Sequence, residues 1–140
     1  MSKNFLDIRR RADGLVLPKV VCDLTPAQLG DISNGCGPES MKVKLIPDRI
    51  LGVDFRNACN GHDGCYHFGE DEEDKRESDR LFLCNLLLAV DEHCEKNGIL
   101  EDVERGACRE AAFTYYRAVA DWGNAAFWAD KPRAGCAVAK

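Results

Sequence analysis

Apolar residues return at helical spacing through the middle and later parts of the chain. Leu83, Leu86, Leu87 and Val90 give one buried face to a helix expected over 71–96. Asp71 is placed to cap the amides of Glu73 or Asp74, and the acidic residues Glu72, Glu73 and Asp74 suit the positive end of the helix dipole. Asn97-Gly98 ends that helix. Ala107, Ala111, Tyr115, Ala118 and Trp122 mark a third helix over 101–122. An earlier helix is expected over 53–68, stopping at Gly69. The stretch 24–47 is rich in Gly, Pro, Asn and Ser and reads as ordered loop, densest in glycine over 34–40. Phe127 and Trp128 are expected to fold back on the core, and Trp122 with them. No strand pattern stands out. The expected class is mostly α, in a single domain over 1–140.

The first twenty residues form a basic amphipathic segment. Lys3, Arg9, Arg10, Arg11 and Lys19 stand beside Phe5, Leu6 and Ile8. Two readings stay open with equal weight: a short helix on a membrane surface with Phe5 and Ile8 toward lipid, or a frayed terminus.

Composition changes this picture in two ways. The formal net charge is -5, which argues against a broad nucleic-acid footprint. Eight cysteines in 140 residues would ordinarily mean disulfides and an oxidising compartment. The opening "MSKNFLDIRRR" has no apolar core of a signal peptide, which keeps a cytoplasmic location open against the extracytoplasmic or secreted one that the cysteines favour. Without a C-x-x-C pair, a structural zinc site has little support.

The chemistry concentrates in Ala58-Cys59-Asn60-Gly61-His62-Asp63-Gly64-Cys65-Tyr66. On a helix, His62 and Asp63 diverge by roughly 100° and aim at different targets. Cys59, His62, Cys65 and Tyr66 share one face. Gly61 and Gly64 lie off it and allow a loop or helix to approach closely. An inward histidine needs a partner for its ring N–H. Asp79 offers one if the helices over 53–68 and 71–96 are antiparallel neighbours. The imidazole, held in one tautomer, is then free to act as a general base. With no Ser, Thr or Cys nucleophile attached, it would activate water. Asp63 fits a hard cation together with the carbonyl-rich loop Asn34-Gly35-Cys36-Gly37-Pro38-Glu39-Ser40, which a Cys36–Cys59 bond could hold in place. The assembled chemistry is metal-assisted ester or amide hydrolysis.

"ACNGHDGCY" resembles the C-x-x-H-D-x-C-Y active-site helix of the secreted phospholipases A2. "SDRLFLC" resembles that family's second helix, and "NGCGPE" its calcium loop, all in the family's order. The flanking "IPD", "DFR" and "EED-R" look most like a bacterial branch. The resemblance implies a phospholipase A2-like fold: two antiparallel helices carrying the active site, a calcium loop over 34–40, and a third, C-terminal helix. It implies an enzyme that cuts the sn-2 ester of glycerophospholipids at a membrane or micelle surface. His62 would be the base, Asp79 its orienting partner and Tyr66 a hydrogen-bonding member of the network. Calcium would be held by the Asp63 carboxylate and the carbonyls of Gly35 and Gly37, with Glu39 as a further ligand and the Gly37 amide as oxyanion donor.

The chain departs from the family pattern in three places. Pro38-Glu39-Ser40 replaces the glycines that usually follow the loop core. Ala58 stands where many members have a cysteine, and Ser78 does so before Asp79, leaving Cys65 without its usual partner. Cys36–Cys59 is the favoured pair, Cys84 competes for Cys59, and Cys94 and Cys108 can face each other. The departures keep open a catalytically weak calcium- or lipid-binding module. A cysteine-rich metal-binding helical domain is a third reading. His67 and His93 read as surface residues, the acidic run Glu70 to Asp74 as a solvated helix start, and Tyr115 and Tyr116 as core, with one able to reach Asp79.

Overall fold

A computed structural model describes residues 1–33, 47–99, 101–129 and 131. The expected loop residues Gly35, Gly37 and Glu39, and with them Cys36 and Cys136, lie outside the described residues. The described chain is mostly helical. Two long helices form its frame: α4 (Glu72–Lys96) and α5 (Asp102–Trp122), preceded by α3 (Arg56–Phe68). Shorter elements complete it: α1 (Lys19–Cys22), α2 (Pro26–Ile32), α6 (Asn124–Trp128), and a 3-10 turn at Lys3–Phe5.

Two small antiparallel sheets are also present, contrary to the strandless expectation. In the first, β1 (Ile8–Arg10) pairs with β2 (Val16–Pro18), Arg9 opposite Leu17. The basic N-terminal segment is therefore a hairpin rather than a surface helix. Its turn is made by Gly14 at φ 93, with the Asp13 carboxylate accepting the amide of Leu15. Phe5 faces the interior at 2% exposure, so the lipid-facing role expected for it does not hold. Nor is the segment frayed. The backbone amide and hydroxyl of Ser2 both donate to Asp74, at 2.9 and 2.5 Å. The second sheet pairs β3 (Arg49–Ile50) with β4 (Val53–Asp54). Leu51 and Gly52 reverse the chain there at φ 52 and 84, so α3 starts at Arg56 rather than Val53.

α2 falls inside the stretch read as loop. Thr25 accepts the amide of Gln28, the Gln28 side chain accepts the amide of Thr25, and Pro26 opens the first turn. That is a complete capping box with proline where its missing N–H costs nothing.

α3 runs antiparallel to α4, and α4 to α5. The contacts His62–Asp79, Lys75–Val119 and Asp91–Arg109 fix both pairings. Asp71 caps α4 by accepting the amide of Asp74. Between the helices and β4 lies the main core, with Val53, Phe55, Phe82, Leu86, Val90, Ala112 and Tyr115 buried. Burying each large apolar side chain of this kind contributes about 1.5–3 kcal/mol. On α5 the buried face is Cys108, Ala112, Tyr115 and Val119. It is turned by about one residue from the expected face, leaving Ala107 exposed and Trp122 68% exposed instead of packed in the core. Phe127, also expected in the core, is fully buried.

The N-terminal unit packs on the glycine face of α3, burying Leu15, Leu17, Val21, Leu29 and Cys65 together. A Cβ on Gly61 would sit 3.1 Å from Leu17, and one on Gly64 would sit 2.9 Å from Val21. These two glycines therefore set the distance at which the N-terminal unit docks. Asn85 ties the same unit to α4. Its side-chain oxygen accepts the amide of Val16 at 2.8 Å, and its amide donates to the Val16 carbonyl at 3.0 Å. The amide side chain thus takes the place of a third strand on β2.

Candidate active site

The site forms where α3, α4 and the end of α5 meet. α3 presents His62 and Tyr66 on its inner face, and α4 presents Lys75, Asp79 and Phe82 toward them. All five side chains are buried. The ring of His62 stacks on Phe82 at 4.4 Å between centroids and 27° between planes. It also meets the Tyr66 ring, tilted by 50° at 4.1 Å between centroids.

Asp79 is the hub. Its Oδ1 lies 2.8 Å from Nε2 of His62 and accepts the Tyr66 hydroxyl at 2.7 Å. Its Oδ2 accepts the ammonium of Lys75 at 2.8 Å. An ionised carboxylate only accepts, so Nε2 of His62 carries the proton and donates. Among the described residues, Nδ1 has no hydrogen-bond partner.

Burial alone would raise the Asp79 pKa. The hydrogen bonds from His62, Lys75 and Tyr66 outweigh it and hold the carboxyl below its usual value. The same burial, with the Asp79 charge beside it, drives the Tyr66 hydroxyl well above its usual range, so it stays a donor. Gly123 makes room for that hydroxyl, because a Cβ there would come within 2.5 Å of it. Lys131 donates to the Tyr66 carbonyl and lies over the Phe127 ring at 3.9 Å. Burial lowers the pKa of its ammonium to about 8.

The structure therefore brings His62, Asp79 and Tyr66 into one buried cluster. Asp63 is half-buried on α3, next in sequence to His62, so helical geometry sets the two about 100° apart around the axis. Tyr115 does not reach Asp79; its hydroxyl donates to the carbonyl of Pro47. His67 is exposed and His93 half-buried. Lys75 and Phe82 were missing from the expected site. A signal for Lys75 was present, because it lies one helical turn before Asp79 with the opposite charge.

The favoured pair Cys36–Cys59 involves Cys36, which lies outside the described residues, while the pairings open to Cys84, Cys94 and Cys108 do not form. Cys22, Cys65, Cys84, Cys94 and Cys108 are free thiols. Cys94 and Cys108 do meet, as neighbouring thiols rather than a disulfide. Cys84 does not compete for Cys59. Cys59 is disulfide-bonded. Cys65 is fully buried, and burial raises its thiol pKa far above the usual range. The acidic run is a solvated helix start at Glu70, Glu72 and Glu73, as expected, and departs from it only at Asp74. Asp74 is fully buried and gathers Ser2 and the amide of Glu70. Among the described residues, no three His, Cys, Asp or Glu side chains come together as a metal cluster. The described helices include none long and apolar enough to cross a membrane. Comparison with known protein families and with characterised proteins finds no match for this chain.

Proposed function

We propose that the chain is a phospholipase A2-type hydrolase that cuts the sn-2 ester of glycerophospholipids at a membrane or micelle surface. The observation that carries the reading is the buried contact between His62 Nε2 and Asp79 Oδ1, on the two helices whose motifs resemble that family's active site. Asp79 holds the proton on Nε2, which leaves the lone pair of Nδ1 to take a proton from water. The resulting hydroxide adds to the ester carbonyl. The tetrahedral intermediate then collapses, and the imidazolium returns its proton to the departing glyceryl oxygen. Tyr66 keeps Oδ1 aligned throughout.

Calcium belongs to the same reading. Asp63 is a half-buried hard oxygen donor next in sequence to the base and about 100° from it around the helix, which suits a cation beside the reacting carbonyl. Asp63 would hold the ion with the carbonyls of Gly35 and Gly37 and with Glu39. When bound, calcium polarises the ester carbonyl. The Gly37 amide would donate to the oxyanion.

The test is fatty-acid release from mixed phospholipid vesicles. Activity should require calcium and vanish in His62→Gln. Hydrolysis that persists in His62→Gln would refute the assignment of the base, and full activity in EDTA would refute the calcium role. A second reading, a calcium- or lipid-binding module without turnover, is favoured by Pro38-Glu39-Ser40 in the loop. Calcium binding by calorimetry with no lipid hydrolysis would select it.

A further inference from the structure

Lys75 sits one helical turn before Asp79 on α4, and its side chain is only 6% exposed. A lysine is almost never buried so completely without a partner. An exposed i,i+4 pair would gain a few tenths of a kcal/mol and keep its solvent; this pair gives its solvent up. The ammonium lies 2.8 Å from Oδ2 of Asp79 and 3.3 Å from the carbonyl of Val119. That carbonyl belongs to the last turn of α5, where the helix dipole is negative. Two negative ends therefore converge on one cation.

The two oxygens of Asp79 divide the work. Oδ1 takes His62 and Tyr66, and Oδ2 takes Lys75. The torsion that spins a carboxylate about its Cβ–Cγ bond is broad and has no strong minimum of its own. Donors on Oδ1 alone would leave the group free to rock about that oxygen. A cation anchored on Oδ2, and itself held by α5, removes this freedom.

We propose that Lys75 is a positioning residue of the site: its ammonium pins Oδ2 of Asp79, so that Oδ1 stays on the Nε2–H of His62 and the imidazole keeps Nδ1 free. The consequence for turnover rests on the hydrolase reading; the consequence for the imidazole does not. The Lys75 ammonium is buried against Asp79 and the Val119 carbonyl, and it acts through Asp79.

The experiment uses the full chain with 15N-labelled histidine at one fixed pH, and His62 signals are assigned by their absence in His62→Gln. The unaltered protein should show a single tautomer with the proton on Nε2. Lys75→Met should show mixed tautomers, and Lys75→Arg should restore the single one. In the lipid assay Lys75→Met should lower kcat by roughly 10–100-fold with KM changed less than about twofold, since a misplacement near 1 Å can cost about 10²-fold. If Lys75→Met fails to fold, Lys75→Gln replaces it with the same expected outcomes. An unchanged His62 spectrum in the neutral variant overturns the proposal, whatever the activity does. Absence of hydrolysis in the unaltered protein overturns the hydrolase reading instead, and the spectra still decide the role of Lys75.

Discussion

Replacing Asp79 by asparagine should destabilise the fold, and removing Lys75 as well should give part of the loss back. The structure sets the scale. Three donors converge on one carboxylate: Nε2–H of His62, the Tyr66 hydroxyl and the Lys75 ammonium, all within 2.8 Å. At 2.8 Å and an effective dielectric near 20, the Lys75–Asp79 attraction is about 6 kcal/mol before desolvation is subtracted. An asparagine offers one acceptor oxygen to three donors and no charge to the ammonium. Breaking a buried pair from one side costs about 3–5 kcal/mol, because the remaining charge is stranded. Asp79→Asn should therefore lower the unfolding free energy by about 3–5 kcal/mol.

The double variant Asp79→Asn with Lys75→Met strands no charge and keeps a straight side chain in the lysine's place. It should be more stable than the sum of the two single losses by about 1–3 kcal/mol. Urea denaturation measures all four proteins, with equal m-values as the check that the denatured states are comparable. If the two losses simply add, within about 0.5 kcal/mol, the ammonium and the carboxylate are not coupled and the account of the site given above fails.

Two further outcomes follow from the packing and the charges. Gly64→Ala should cost about 1–3 kcal/mol by overpacking, since its Cβ would meet Val21 at 2.9 Å and Leu29 at 3.0 Å; Val21→Ala in the same chain should return part of that. A Gly64→Ala protein as stable as the original by urea midpoint would mean the N-terminal unit does not dock on α3 as described. In acid, stability should fall. Asp74 and Asp79 both have folded-state pKa values lowered below the ordinary one. Their contribution is complete above the ordinary carboxylate value of about 3.9 and is lost as pH falls through the lower folded values. Asp74→Asn should flatten this fall in urea midpoint against pH, and an unchanged slope would refute the role given to the Ser2 clasp.

What was legible in the chain was legible for local reasons. α4 and α5 declare themselves because their apolar residues repeat over many turns. The His62–Asp79 contact follows from two helices joined by a turn too short for anything but an antiparallel return. What escaped is either too short or too distant. β3 and β4 have two residues each, fewer than an alternation needs to show. α2 was hidden by its own cap, because Thr25 and Pro26 read as loop composition when they are the start of a helix. On α5, alanines on adjacent faces blur the stripe, and the expected face through Ala118 lies one position from the buried Val119 and carries the exposed Trp122 with it. The burial of Asp74 depends on Ser2, 72 residues earlier, and no local pattern carries that.

The two buried carboxylates of α4 show why the cluster around His62 reads as chemistry. Asp74 and Asp79 lie five residues apart and are exposed at 0% and 4%. Asp74 is satisfied by two backbone amides, those of Ser2 and Glu70, and by the Ser2 hydroxyl. None of these donors titrates near neutral pH, and their effect is to hold the chain's N-terminal segment against α4. Asp79 is satisfied entirely by the titratable side chains of His62, Lys75 and Tyr66. A structural tie needs no such partners, and well-packed apolar residues of similar volume are often neutral or more stable in such a place. The same helix thus solves the burial of a carboxylate in two ways within two turns. Only the second holds an imidazole against the rings of Phe82 and Tyr66, with one nitrogen open among the described residues. That difference in donors, more than burial itself, separates the catalytic candidate from the structural clasp.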